Sequence, residues 1–297
     1  MSSRQSSIRN AMTVDVEDYF HVTAFADSLD RSRWGSLESR VERNTLHLLE
    51  LFARHDVRIT FFVLGWVAQR FPALIRELHR AGHEIACHGM THELIYKQSP
   101  GTFRQETHAA KALLEELTGT KVRGYRAATY SITAQSLWAL DILEELGFEY
   151  DSSVFPVRHD LYGIPGASRR PFRVASGRLV EIPLTTVNVA GQSLPCAGGG
   201  YFRLLPYAFF RWALGRVNAE GLPAVFYLHP WEIDPQQPRI GASWRSRFRH
   251  YTNLDRTEPR LERLLEDFSW GRMDEVFTGE RAPAALPLNP AWAGGRT

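Results

Sequence analysis

Between Met12 and about Phe155 the chain alternates short apolar, β-branched runs with longer runs whose apolar residues recur at helical spacing. MTVDVE, RITFFVLG, HEIACHG, VRGYRAA and EYDSSVFP read as strands. LESRVERNTLHLLELFARHDV, WVAQRFPALIRELHRAG, TFRQETHAAKALLEELTG and SITAQSLWALDILEELGF read as the helices between them. Gly82, Gly119 and Gly147 stop three of those helices, and Ser131 or Thr133 caps the start of the last. Repeated β-α units of this length give a parallel sheet with helices outside, open or closed as a barrel. After Pro156 the pattern loosens: RLVEIPLTTVNV is strand-like, LPYAFFRWALGRVNAE helical, PAVFYLHPWE the last clear strand and TEPRLERLLEDF a late helix. With neither an internal repeat nor a linker, the expectation is one domain over 12–280, after a disordered segment 1–11 and before a flexible tail 281–297.

Charge narrows the partners. Thirty-five basic against 33 acidic side chains leave a formal charge of +2 in 297 residues, which argues for neither nucleic acid nor a membrane surface. Two cysteines, Cys87 and Cys196, are too few for a disulfide framework, so a reducing compartment is expected. The first ten residues are polar and lack the apolar core of a signal peptide, and no apolar run approaches a bilayer span. A soluble cytoplasmic protein is the expectation.

In parallel α/β folds, chemistry sits beyond the carboxyl ends of the strands. Asp15, Glu17 and Asp18 end the first strand, His88 and His92 follow the third, Arg126 follows the fourth, Asp151 sits in the fifth and His229 ends the last. Three acids within four positions of a buried strand need hydrogen bonds, partners or a cation. Alternation puts Asp15 and Glu17 on one face, opposite Val14 and Val16. His88 and His92 are four apart, which on a helical turn puts both imidazoles on one side. Two histidines and a carboxylate are a recurring ligand set for catalytic zinc and related ions. Arg126 can pair with Asp15, and His229 held by a carboxylate such as Asp151 would be a tuned general acid. His79 and His83 straddle the helix end at Gly82 and read as structural.

These residues, in this order, resemble the polysaccharide deacetylases of carbohydrate esterase family four, which share a homology domain with chitooligosaccharide deacetylases. The five motifs are TVDVEDYF, HGMTH, GYRAATY, YDSSVFP and FYLHPWE, spanning 12–231. The segment that follows, 232–280, is similar to the C-terminal region of deacetylases found with exosortase and exopolysaccharide clusters, a branch near the allantoinase-like and Helicobacter peptidoglycan deacetylases. The resemblance implies a distorted (β/α) barrel of about seven parallel strands. It implies one divalent ion, zinc by preference, on His88, His92 and a carboxylate, Glu17 or its competitor Asp18. It makes Asp15 the base, positioned by Arg126, and His229 the acid, oriented by Asp151. Two departures stand out: Val16 fills the place of a second adjacent Asp, and Ala127 and Ala128 follow Arg126 where the family has Pro.

The implied reaction is metal-assisted hydrolysis of N-acetyl groups on amino sugars of an exopolysaccharide or cell-envelope glycan. Homo-oligomerisation is a property the resemblance allows. Tyr19, Phe20, Trp231 and the GGGYFR loop are candidates to line a path for sugar rings, and GGGYFR lacks the Lys-Ser/Thr of a phosphate loop. Three other readings compete: an allantoinase-like hydrolase of a small cyclic amide, a non-catalytic carbohydrate-binding protein, and nucleic-acid binding through WRSRFRHY, Trp244–Tyr251.

Overall fold

A computed structural model describes residues 8–26, 28–174, 177–279 and 284–286. Its strands are β1 (Arg9–Val16), β2 (Thr60–Val63), β3 (Glu84–Cys87), β4 (Gly124–Tyr125), β5 (Tyr150–Asp151), β6 (Phe172–Arg173), β7 (Val180–Glu181), β8 (Thr186–Val189), β9 (Gln192–Pro195), β10 (Val225–Leu228) and β11 (Ser269–Gly271). The α-helices are α1 (Val41–Arg54), α2 (Gly65–Arg70), α3 (Pro72–Arg80), α4 (Pro100–Thr118), α5 (Trp138–Glu145), α6 (Gly199–Leu204), α7 (Tyr207–Ala219), α8 (Trp244–Tyr251), α9 (Thr257–Asp267) and α10 (Met273–Phe277).

The main sheet runs β10-β1-β2-β3-β4-β5-β7-β6, with β11 also on β1, and β8-β9 form a separate hairpin. From β10 to β7 every pairing is parallel, and only β6–β7 is antiparallel. The sheet is curled with helices outside it, the distorted (β/α) barrel expected from the sequence; its end strands β10 and β6 do not pair with each other among the described residues.

Alternation along β1 divides the interior in two. Met12, Val14 and Val16 pack with Leu48, Leu51 and Phe52 of α1 in the layer between sheet and helices. Ala11 turns to the inner side with Phe62 and Tyr227, and Asp15 follows it four residues on. Each fully buried Leu, Val or Phe contributes about 1.5–3 kcal/mol. That layer holds the strands while their carboxyl ends carry polar groups.

Three elements differ from the sequence expectation. β1 starts at Arg9 and not Met12, because Arg9–Ala11 pair with β11 from the far end of the chain. Of the two expected unstructured ends, 1–7 and most of 281–297 lie outside the described residues. The helix expected from Ser131 begins only at Trp138. Thr129 and Tyr130 adopt left-handed φ of 55° and 53°, and the hydroxyls of Ser131 and Ser136 bond the backbone of the intervening turns, which keeps this stretch out of the helix. The GGGYFR segment is likewise a fold element. Gly198 has φ 120°, and a Cβ there would lie 2.0 Å from the Tyr227 carbonyl oxygen, so only glycine lets this segment approach β10.

Candidate active site

One end of the site is built on β1. Asp15 is buried, and its Oδ1 accepts a hydrogen bond from Arg126 Nη1 at 2.7 Å. The Arg126 guanidinium is itself locked: it donates to Thr13 Oγ1 at 2.7 Å and to the Ser152 carbonyl oxygen and hydroxyl, both at 3.2 Å, and lies 4.0 Å over the Phe62 ring. Asp15 Oδ2 accepts from the Tyr130 hydroxyl at 3.3 Å. Tyr130 reaches it from the left-handed turn that follows Arg126, where the family motif has proline and this chain has two alanines. Sequence reasoning missed Tyr130, because nothing in GYRAATY marks the turn that aims it.

Glu17 gathers the histidines. Its Oε2 is 2.6 Å from His92 Nε2 and 4.0 Å from His88 Nε2. One donor atom from each of Glu17, His88 and His92 lies within 4.8 Å of the others, and all three residues are buried. His88 Nδ1 lies 2.8 Å from the Arg126 carbonyl oxygen, which only accepts, so Nδ1 carries the proton and the Nε2 lone pair is free on the Glu17 side. Burial pushes His88 down to about 4, keeping it neutral as a ligand must be. Glu17 Oε2 has short contacts but no aligned hydrogen bond. A buried carboxylate oxygen left open beside two imidazoles fits a divalent ion of the zinc type. Burial alone would raise the Glu17 carboxyl, but the charges of His92 and His229 hold it well below the carboxylate range.

Asp18, the competing ligand, is not in this group. Its Oδ2 accepts from the Ser39 hydroxyl and from the backbone N–H groups of Arg40 and Val41 at the start of α1, and its Oδ1 from Tyr19 N–H. It acts as a remote cap for α1. The HGMTH segment is not the expected helical turn either. It is a loop with Gly89 at φ 78° and His92 at φ 55°, tied to the start of α2 by Gly65 N–H to Gly89 O at 2.8 Å and Trp66 N–H to Met90 O at 2.9 Å. The two imidazoles converge through this strained loop and not through helical spacing.

The surroundings of His229 correct another expectation. His229 Nδ1 is 2.7 Å from Glu232 Oε1, so Asp151 does not orient it. Glu232 also accepts from His229 N–H, and its Oε2 takes Arg203 Nε at 2.7 Å from α6. Arg203 in turn donates to the carbonyl oxygens of His250 and Thr252. Burial would raise Glu232, but Arg203 and His229 hold it down at about 2. Burial would lower His229, but Glu17, Glu232 and Asp15 lift it to about 9. Asp151 instead lies across from Glu181 in the β5–β7 register. Burial raises both carboxyls, and the Asp151 charge lifts Glu181 further. Asp151 also accepts from Ser153, whose hydroxyl takes Ala127 N–H, so it supports the Arg126 loop.

His229 Nε2 lies 3.4 Å from Glu17 Oε1 and 4.0 Å from Asp15 Oδ2. All three border a cavity of about 180 Å³, together with His88, His92 and Trp231. Trp231 stacks on His229 at 5.0 Å. Of the residues expected to line a sugar path, Trp231 borders the cavity; Tyr19 and Phe20 are buried among aromatic neighbours, and Arg203 of GGGYFR holds Glu232. Glu232 and Arg203 were missed in the sequence, although a glutamate three residues after a histidine in a Pro-initiated turn was a usable signal.

Asp15, Glu17, His88, His92 and His229 thus surround one cavity. Residues 33–150 match the polysaccharide deacetylase family model, and 152–278 match a domain of unknown function, DUF3473. A chitooligosaccharide deacetylase from Sinorhizobium fredii is 35% identical over 100 residues, 33% of this chain and 44% of that protein. The chain aligns with between 31% and 44% of the length of the first four curated relatives it matches. A candidate polysaccharide deacetylase of solved structure from Mycobacterium smegmatis has the same fold, with TM-score 0.60, 22% identity and coverage of 97% and 96% of the two chains. The PuuE allantoinase structure shares it too, with TM-score 0.55, 19% identity and coverage of 92% and 90%. The chain thus carries a polysaccharide deacetylase domain over residues 33–150, in a fold it shares with both solved structures.

Proposed function

We propose that this protein hydrolyses N-acetyl groups from amino sugars of a polysaccharide, in a cytoplasmic step of exopolysaccharide or cell-envelope glycan assembly. The observation that carries this reading is the meeting of Asp15, Glu17, His88, His92 and His229 at one cavity. An amide is resistant because amine is a poor leaving group until protonated, so the reaction needs a base and a separate acid. A divalent ion, zinc by preference, held by Glu17, His88 and His92 would polarise the amide carbonyl and lower the pKa of water to about 7.

The chain's own residues supply the proton transfers. Asp15, fixed by Arg126 and Tyr130, takes the proton of the attacking water. His229, lifted to about 9, is protonated at neutral pH. Its Nδ1–H is tied to Glu232, which aims Nε2–H into the cavity toward the departing nitrogen. The products are acetate and a free amino sugar.

The test is acetate release from oligomers of N-acetylglucosamine, with allantoin as the comparison substrate. The expected result is acetate release that Asp15→Asn lowers by about 10²–10⁴. Turnover of allantoin without acetate release, or unchanged deacetylation by Asp15→Asn, would overturn the proposal.

A further inference from the structure

The helix α8 carries the WRSRFRHY segment, and the proposed chemistry leaves it unused. Trp244 and Phe248 are 73% and 55% exposed, far more than the buried His250 on the same helix. At about 100° per residue, Trp244 and Phe248 lie side by side on the outer face, with Arg245 and Arg249 along one flank and Arg247 along the other. No acid occurs between Arg239 and Tyr251. Among the described residues Arg239 stacks on Tyr251 and Arg245 on Trp244, and none of these four arginines meets a carboxylate. Exposed aromatics ringed by guanidinium groups that meet no carboxylate among the described residues mark an interaction surface, not a solvated helix face.

Its position says which kind. His250 on the inner side of α8 stacks on Trp231 at 4.2 Å, and Trp231 stacks on His229. Phe25 packs against His250 at 4.7 Å, just beyond the Val22–Ala24 stretch that borders the cavity. Arg249 lies near enough to Tyr162, another residue that borders the cavity, for its charge to be felt there. The helix therefore stands at the rim of the cavity that receives the scissile amide. A polymer threaded through that cavity must cross a neighbouring surface.

We propose that α8 binds an adjoining stretch of the substrate polysaccharide, and that this stretch carries hexuronate rings: sugar faces on Trp244 and Phe248, ring carboxylates on Arg245, Arg247 and Arg249. The proposal rests on the deacetylase reading for the rest of the polymer. A uronate puts its anion on the pyranose ring itself, which suits arginines directly beside an aromatic platform. A membrane surface is the poorer fit, since two apolar side chains on an eight-residue helix offer little to bury in lipid.

The test compares the full chain with Arg245→Gln/Arg247→Gln/Arg249→Gln and Trp244→Ala/Phe248→Ala, all at exposed positions away from the catalytic groups. Calorimetry measures binding of a hyaluronan hexasaccharide, which alternates N-acetylglucosamine with glucuronate, and of the neutral N-acetylglucosamine hexamer. The expected result is hyaluronan binding that weakens as salt rises past about 0.15 M and that falls about tenfold or more in each variant. Acetate release from the neutral hexamer stays within about twofold in the arginine variant. Hyaluronan binding that is absent, insensitive to salt or unchanged by the arginine substitutions overturns the proposal. So does loss of binding to phosphatidylglycerol vesicles with hyaluronan binding intact. If the unaltered chain releases no acetate from the hexamer while hyaluronan binding is lost in both variants, the deacetylase reading falls and the anionic-glycan face stands.

Discussion

Replacing Glu232 with Gln tests the correction the structure makes to the acid. Glu232 does not border the cavity, so substrate contacts are untouched and KM should hold. What changes is His229. Three carboxylates lift it from 6.5 to about 9, which is worth roughly 3 kcal/mol. Glu232 supplies both a hydrogen bond and a charge to that rise, after Glu17. Its neutral replacement should bring the alkaline limb of kcat down by roughly one to one and a half pH units. With the imidazole also less firmly aimed, kcat at neutral pH should fall by about 10²–10³. Arg203 then loses its buried partner, which costs about 3–5 kcal/mol, so circular dichroism must confirm the fold. The double variant Glu232→Gln/Arg203→Met removes both partners and should regain part of Tm but none of the lost kcat. Asp151→Asn should leave the alkaline limb where it is. A Glu232→Gln enzyme with the original limb and kcat, or an Asp151→Asn enzyme with a displaced limb, would refute the assignment of Glu232.

Three further outcomes follow from other buried groups. Glu84 is pushed up to about 7 by burial and by Asp274, while an unfolded glutamate has its ordinary 4.5. Folded Glu84 thus keeps a proton that the unfolded chain has lost, so stability falls as pH rises from 4.5 to 7, by at most about 3 kcal/mol. Glu84→Gln can still serve Tyr150 and Thr60 and should flatten that decline in a denaturant series run from pH 5 to 8. Gly198→Ala would force a Cβ to within 2.0 Å of the Tyr227 carbonyl oxygen. The β10 edge must shift, and Tm should drop by several degrees or the protein should fail to accumulate. Tyr130→Phe removes one of the two side-chain hydrogen bonds on Asp15 and should lower kcat by about tenfold or less with Tm nearly unchanged.

Much of the site was legible in the sequence because strand alternation and strand ends are local properties. Asp15 reaches the cavity as the alternation of β1 requires, and Glu17, one residue past the strand, borders it too after a turn in which its N–H bonds the Asp15 carbonyl oxygen. Asp18 falls past the strand, and its partners at the start of α1 lie 21 to 23 residues on, where no spacing rule could find them. Asp151 is the expected partner of His229 because the family resemblance implies a carboxylate from the fifth strand. The β5–β7 register instead sets it against Glu181, and that pairing depends on a strand order that skips β6. The late start of α5 was hidden because Thr129 and Tyr130 hold a left-handed turn that ordinary propensities disfavour. Such strain is tolerated where it aims a functional group, here the Tyr130 hydroxyl at Asp15.

The central claim is that Glu17, and not Asp18, completes an ion site with His88 and His92 that deacetylation requires. Zinc stoichiometry and acetate release should be measured on the same preparations of the unaltered chain, Glu17→Gln and Asp18→Asn. The account predicts one ion per chain and acetate release for the unaltered protein, both kept at reduced Tm in Asp18→Asn, and both lost in Glu17→Gln. Ion binding and activity that survive Glu17→Gln but vanish in Asp18→Asn would contradict it.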